Sequence, residues 1–370
     1  MKVPLLDLKP QYMQLKAELD AEIAEIVSSQ MFILGPKVEA FECACASYCQ
    51  AKHALAVSSG SDALIIALMN EGIGEGDEVI TTPYTFFATA GAIHRVGARP
   101  VFVDIEPVSF NLDVAKVRDA ITPRTRAIIP VHLYGQCANM GPIMELARKY
   151  NLVVIEDAAQ SIGAQCDGHV AGSTGDYGCL SFYPSKNLSA FGDAGAVTVQ
   201  DDAKFEKLHC MRNHGMAPRY YHKYVGGNFR MDALQAAVLN IKLKYLDQWT
   251  AKRQANAAKY NELLAGVEGL TLPQQAPWCT RHVFNQYILR IHGGKRQKVW
   301  DGFKAEGIGC DVYYPLPLHL QECFANLGYK AGDFPESEAA AQETLAIPIY
   351  PDLSDEQIAF VASTIRKLLS

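Results

Sequence analysis

The feature that most constrains this chain is a series of short, continuous apolar runs, each ending in polar or glycine residues and followed by a helix-like stretch. They occur in "ALAVSSGSDALIIALM", "GDEVITTPYTFFATAGAIHRVGA", "RPVFVDI", "TRAIIPVHLYGQ", "NLVVIEDAAQSIGA", "GCLSFYPSKN" and "GAVTVQD". Val/Ile runs that do not alternate with polar residues must be covered on both faces. Helices of about ten residues or more between them are the crossovers of a mostly parallel sheet. The pattern predicts an α/β large domain, and ligands of such sheets bind beyond the carboxyl ends of the strands.

The rest of the chain frames that sheet. Residues 12–29 place Leu15, Leu19, Ile23 and Ile26 on one face of an amphipathic opening helix, and a second helix is expected to begin near Pro36. A long helical run over residues 232–263 reads as a connection into a smaller C-terminal domain holding the strand-like "NQYILRI" and the proline-punctuated "YYPLPLHL". With 370 residues, two lobes are expected, which we place at residues 1–245, including the N-terminal helical segment, and 246–370.

Charge and cysteine usage narrow the function. The formal net charge is -6, and no basic block provides the footprint of a nucleic-acid binder. No stretch approaches the roughly 18 apolar residues of a membrane span, and the N-terminus lacks the pattern of a signal peptide. Ten cysteines without CxxC pairs indicate free thiols in a reducing compartment, so the expected location is cytoplasmic. Cys43, Cys45 and Cys49 with His53 make a poor tetrahedral metal site, because helical spacing splits the thiols between faces, and no metal is expected. His132, His214 and His222 are open between substrate and packing roles.

Four segments carry chemistry-bearing residues to predicted strand ends. In "VSSGSDALIIAL", Ser58, Ser59, Gly60 and Ser61 precede a helix whose free N–H groups can hold a phosphate, though the same residues also read as a serine N-cap. In "LVVIEDAAQ", a buried strand delivers Glu156 and Asp157, with Gln160 one turn on, and a carboxylate there can hold a protonated ring nitrogen or cap a helix. "TTPYTFFATA" supplies Tyr84, Phe86 and Phe87, aromatic rings that can cover a planar ligand or join the core. Lys186, in "SFYPSKNLSAFGDAGAVT", stands alone among small and aromatic residues before a turn with Gly192 and Gly195. Burial favours a neutral amine, and a neutral lysine can attack a carbonyl to form a Schiff base. Together they offer a phosphate cup, an acid for a pyridine nitrogen, a stacking ring and a lysine for an aldehyde, the set that pyridoxal phosphate requires.

These stretches, together with "PLLDLKPQY", "FILGPKVEAFE", "RNHG", "GGNFRMDALQAAVL" and "YYPLPLHLQ", resemble the DegT/DnrJ/EryC1/StrS aminotransferases over nearly the whole chain. The resemblance implies the fold type I architecture of pyridoxal-phosphate (PLP) transferases, a mostly parallel seven-stranded sheet with a smaller α/β C-terminal domain. It implies Lys186 as the lysine that carries the cofactor and Asp157 as partner of the pyridine nitrogen. Gln160 would neighbour the ring hydroxyl, Phe86 would stack on the ring, and Gly60, Ser61 and Ser181 would form the phosphate cup. Asn228 matches a residue that the family supplies from the neighbouring subunit of a homodimer with shared active sites. The implied reaction moves an amino group from L-glutamate, through pyridoxamine phosphate, to a keto-sugar linked to UDP or dTDP.

"SFYPSKNL" followed by "FGDAGA" resembles members acting at C3, with C4 as the alternative. Where many relatives have His-Tyr-Pro this chain has Tyr313-Tyr314-Pro315, which leaves Tyr314 and His319 as substrate candidates. Sugar dehydratases of the group replace the lysine with histidine, which Lys186 disfavours. The complete cofactor set weighs against a non-catalytic regulator. A nicotinamide fingerprint is lacking, since the glycines of "GIGEGDEVI" precede a strand instead of following one.

Overall fold

The computed structural model describes all 370 residues. Two helices open the chain, α1 (Lys9–Ser29) and α2 (Pro36–Tyr48), the second starting at the proline whose missing N–H a first helical turn does not need. Strands and helices then alternate through β1 (His53–Val57), α3 (Gly60–Asn70), β2 (Glu78–Thr81), α4 (Ala88–Arg95), β3 (Arg99–Phe102), α5 (Val114–Ala120), β4 (Thr125–Ile128), α6 (Met140–Tyr150) and β5 (Val153–Asp157). The short β6 (Gln165–Cys166) and β7 (His169–Val170) precede β8 (Tyr177–Ser181) and β9 (Gly195–Val199), and α7 (Asp202–Arg212), α8 (Ala233–Leu243) and α9 (Leu246–Leu264) follow. The C-terminal elements are β10 (Leu270–Thr271), β11 (Cys279–Arg281), β12 (Tyr287–Ile291), α10 (Arg296–Glu306), α11 (Pro335–Glu343), β13 (Thr344–Ile347) and α12 (Asp355–Leu369).

The main sheet has seven strands in the order β1-β9-β8-β5-β4-β2-β3, and β9 alone runs against the others. The mostly parallel seven-stranded sheet expected from the sequence is therefore present. Successive residues feed opposite faces: Ala54, Ala56, Ile80, Ile128, Val154 and Leu180 join one core cluster, while Leu55, Val57, Val79, Ala127, Ile155 and Cys179 join another. Both faces are covered, which explains why the apolar runs are continuous. The carboxyl ends of β1, β5 and β8 lie at one edge, and the reversed β9 brings its beginning, Gly195, to the same edge.

The long helical run expected over 232–263 is two helices. Lys244 and Tyr245 donate backbone bonds three residues back, to Ile241 and Lys242, and this tight turn ends α8 before α9 begins at Leu246. No glycine or proline marks the turn, so the apolar spacing reads straight through it. Leu15 and Leu19 of α1 pack with Val238 and Ile241 of α8 and Trp249 of α9 in one small cluster, covering both sides of the bend. The C-terminal sheet β10-β12-β13 packs with α9, α10 and α12. Val3 joins that cluster, its N–H bonded to the Gly307 carbonyl at 3.1 Å. No helix is long and apolar enough to cross a membrane.

Asp104, just past β3, joins the main sheet to the C-terminal elements. Its buried carboxylate accepts from the N–H groups of Glu336 (3.1 Å) and Ser337 (3.0 Å) and from the Ser337 hydroxyl (2.6 Å), capping the first turn of α11 from a distant part of the chain. Asp104→Ala leaves those donors buried without a partner and should lose about 2 kcal/mol of stability in urea unfolding. Asp104→Asn, which keeps one acceptor oxygen, should lose clearly less.

Candidate active site

The strand ends enclose a cavity of about 530 Å³. At one end, Ser59 caps α3 by accepting the Asp62 N–H at 3.1 Å, leaving the N–H groups of Gly60 and Ser61 at the head of the helix. Packing here is close: a Cβ on Gly60 would lie 2.7 Å from Ser181 Cβ, and one on Gly195 would lie 2.4 Å from the carbonyl carbon of Ser59. Glycine at both positions lets the start of α3 rest against the ends of β8 and β9. The helix terminus and the Ser61 and Ser181 side chains thus share one wall of the cavity, an arrangement suited to an anion.

Glu156 and Asp157 end β5 and point to opposite faces. Glu156 is fully buried, bonded to His132 Nε2 at 2.7 Å and to the N–H groups of Gly172 (2.8 Å), Thr174 (2.8 Å) and Gly175 (2.6 Å). Burial would push its carboxyl up, but His132 and those amides hold it below the usual range. The N–H of Ala138 donates to His132 Nδ1, so Nε2 carries the proton that meets Glu156. This pair is structural. Asp157 faces the cavity, where burial raises its pKa against the opposing influence of the Thr89 hydroxyl, the Ala159 N–H and the Lys186 charge.

Lys186 lies on the turn after β8, its N–H bonded to the Tyr183 carbonyl at 2.8 Å. It is the only cationic side chain lining the cavity. Burial lowers its pKa to about 8, although the Asp157 charge acts the other way. Lys242 is lowered similarly by burial, also to about 8, but it is held outside the cavity by the Ser189 carbonyl and hydroxyl at 2.6 Å each.

The remaining wall is built from both halves of the chain. Gln160 Oε1 accepts the Tyr134 N–H at 2.8 Å, which fixes the amide so that Nε2 donates to Tyr314 Oη at 3.0 Å. The Tyr314 phenol is pushed up by burial, so it stays protonated and can donate in turn. The hydroxyls of Tyr84 and Tyr134 both reach the Tyr313 carbonyl, anchoring this segment beneath the cavity. The Phe86 ring is half exposed at the cavity, 6.1 Å from the Tyr314 ring centre.

The structure therefore brings Gly60, Ser61, Phe86, Asp157, Gln160, Ser181, Lys186 and Tyr314 to one cavity. His319 does not line it: the ring is buried in the C-terminal packing, 3.1 Å from Glu338 and edge-on to Phe334. Asn228 lies outside its own chain's cavity, in a bridge with Asn213. Phe87 stacks on Phe324 and Tyr84 is wholly buried, which leaves Phe86 as the ring of that trio that lines the cavity. Thr85, Tyr183, Ser185, Asp193 and Gln286 also line the cavity. Tyr183 and Ser185 flank the lysine and could have been suspected from proximity. Gln286, on the approach to β12, carries no signal in the sequence.

The profile of the DegT/DnrJ/EryC1/StrS aminotransferase family matches residues 13–366. A protein of Geobacillus stearothermophilus named a pleiotropic regulatory protein is 49% identical over 368 residues, covering 99% of this chain and 98% of that one. A dTDP-3-amino-3,4,6-trideoxy-alpha-D-glucose transaminase of Streptomyces venezuelae is 42% identical over 366 residues, with 99% and 96% covered. The crystal structure of S. venezuelae DesV in complex with a ketimine intermediate superposes with a TM-score of 0.97 at 42% identity, covering 100% of this chain and 99% of that one.

The lowered Lys186 pKa is measurable by itself. Acylation of the cofactor-free protein across pH, read by peptide mass spectrometry, should show Lys186 reacting with a midpoint near 8, about two units below exposed lysines. Asp157→Asn should move the midpoint lower still, because the carboxylate's charge raises it.

Proposed function

Because the chain belongs to the DegT/DnrJ/EryC1/StrS aminotransferase family, we propose that this cavity binds pyridoxal phosphate and moves an amino group from L-glutamate to C3 of a UDP- or dTDP-linked keto-sugar. One observation carries the reading: a part-buried lysine with a lowered pKa and a buried carboxylate share a single cavity with a helix N-terminus. The residues fit the cofactor's parts. Gly60, Ser61 and Ser181 would hold its phosphate, Asp157 its ring nitrogen, Gln160 its ring hydroxyl, Phe86 its face and Lys186 its aldehyde.

When bound, pyridoxal phosphate supplies an aldehyde for the amine and a ring that takes up the electron pair left by deprotonation. The protein's own groups do the rest. Asp157 would keep a proton on the ring nitrogen by charge, from a carboxylate that is itself buried. Lys186 Nζ is a nucleophile while neutral; once displaced it takes the proton from the amino acid's α-carbon and returns one further along, acting as base and then acid. A pKa near 8 suits both duties close to neutral pH.

The preference for C3 rests on the stretch "SFYPSKNL…FGDAGA" and on the Streptomyces relative, whose name carries a 3-amino sugar. C4 is the alternative. The Geobacillus relative is named a regulator, but a purely regulatory scaffold has no use for an activated lysine opposite a buried acid. We read residues 246–370 as a smaller domain onto which the first few residues fold back, and the enzyme as a cytoplasmic homodimer. Asn228, outside its own cavity, would reach the neighbour's.

Incubation with L-glutamate and a panel of UDP- and dTDP-linked 3-keto and 4-keto sugars tests the assignment. NMR of the product should place a new amine at C3, and Lys186→Ala should abolish turnover by several orders of magnitude. Amination confined to 4-keto sugars would overturn the C3 reading while leaving the aminotransferase intact.

A further inference from the structure

The carboxylate of Asp157 is supported from below by two threonines that the sequence did not single out. Thr89, in the first turn of α4 and wholly buried, has its hydroxyl 2.7 Å from Asp157 Oδ2, 3.3 Å from the Phe86 carbonyl and 3.1 Å from the Thr85 hydroxyl. A hydroxyl has one proton to give. The shortest contact, to a charged acceptor, takes it, and the Thr85 hydroxyl must then be the donor in the pair it makes with Thr89. The chain of protons thus runs one way, from Thr85 through Thr89 to Asp157. Asp157 Oδ1 has only the Ala159 N–H, at 3.3 Å, and so keeps accepting capacity toward the cavity.

We propose that Thr85 and Thr89 are positioning residues that aim the Asp157 carboxylate at the cofactor's ring nitrogen and hold it in its ionised form. The proposal rests on the pyridoxal phosphate reading above. Burial alone favours the protonated acid, which could not hold a protonated ring nitrogen by charge. Lys186 and His132 also favour the carboxylate, from the turn after β8 and the segment after β4. Tyr314 and the Cys179 thiol face Asp157 as neutral groups, both raised by burial. Lys186, the nearest cation in the cavity, must be neutral to act as nucleophile and base, so its charge is not a permanent support. Thr89 is then the support that stays. The segment from Thr85 to Thr89 also presents Phe86 to the cavity, so one short stretch sets both the acid's orientation and the ring that covers the cofactor.

The test is the pH dependence of cofactor uptake by the full-length protein, followed by absorbance after removal and re-addition of pyridoxal phosphate. Thr89→Val keeps the shape and removes the donor, and should move the acid-side midpoint upward by about one pH unit. Thr89→Ser should restore it, which a purely packing role of the methyl group would not. Thr85→Val should move it the same way by less, providing a second reading should Thr89→Val fold poorly. An unchanged midpoint in folded Thr89→Val overturns the proposal alone. No uptake by the unaltered protein overturns the cofactor reading, and this proposal with it.

Discussion

Neighbouring side chains of a strand point to opposite faces, and at the end of β5 this geometry divides Glu156 from Asp157. Glu156 turns inward to an imidazole and three backbone amides and is consumed by structure. Asp157 turns to the cavity, with one hydroxyl and one amide for support. The inward member holds the loop at residues 172–175 against the sheet, which fixes the strand end that aims the outward member. A one-residue slip of this strand would exchange the two carboxylates and dismantle the site.

The reversed strand β9 is the second requirement. A strand parallel to its neighbours would start at the far edge, whereas β9 begins at Gly195, beside the head of α3, and so closes the loop carrying Lys186 and Asp193 over the same edge as Asp157. The cavity that results contains one basic side chain, and the proposed reaction commits that amine, in its neutral form, to an aldehyde. Phosphate binding within one chain must then depend on backbone N–H groups and hydroxyls, with the dipole of α3 as the favourable field. A donor from a neighbouring subunit, as proposed for Asn228, would complement such a cup without placing a second ammonium beside Lys186.

Much of this was legible in the sequence because continuous apolar runs and strand-end motifs are local. The two-faced burial of β1, β2, β4, β5 and β8 follows from their composition, and Lys186 stands out as the single cation in an apolar and glycine-rich stretch. What was not legible depends on tertiary placement. The bend between α8 and α9 has no turn residue to announce it. Nor does the sequence show that His319 packs against Phe334 and Glu338, away from its own chain's cavity. Nothing in the sequence singles out Thr85 and Thr89, and only the fold brings Thr89 to a residue 68 positions away. Gln286 enters the cavity from the distant approach to β12 for the same reason.

The central claim is that Lys186, and no other lysine, is the amine that holds the cofactor. Lys242 is the fair rival, being buried and having a pKa lowered just as far, yet it is occupied by Ser189 outside the cavity and has no acid beside it. Borohydride reduction of the purified protein, followed by proteolysis and peptide mass mapping, separates them. The account predicts a pyridoxyl group fixed on Lys186 alone. A label on Lys242, or no label on a protein saturated with pyridoxal phosphate, would contradict it.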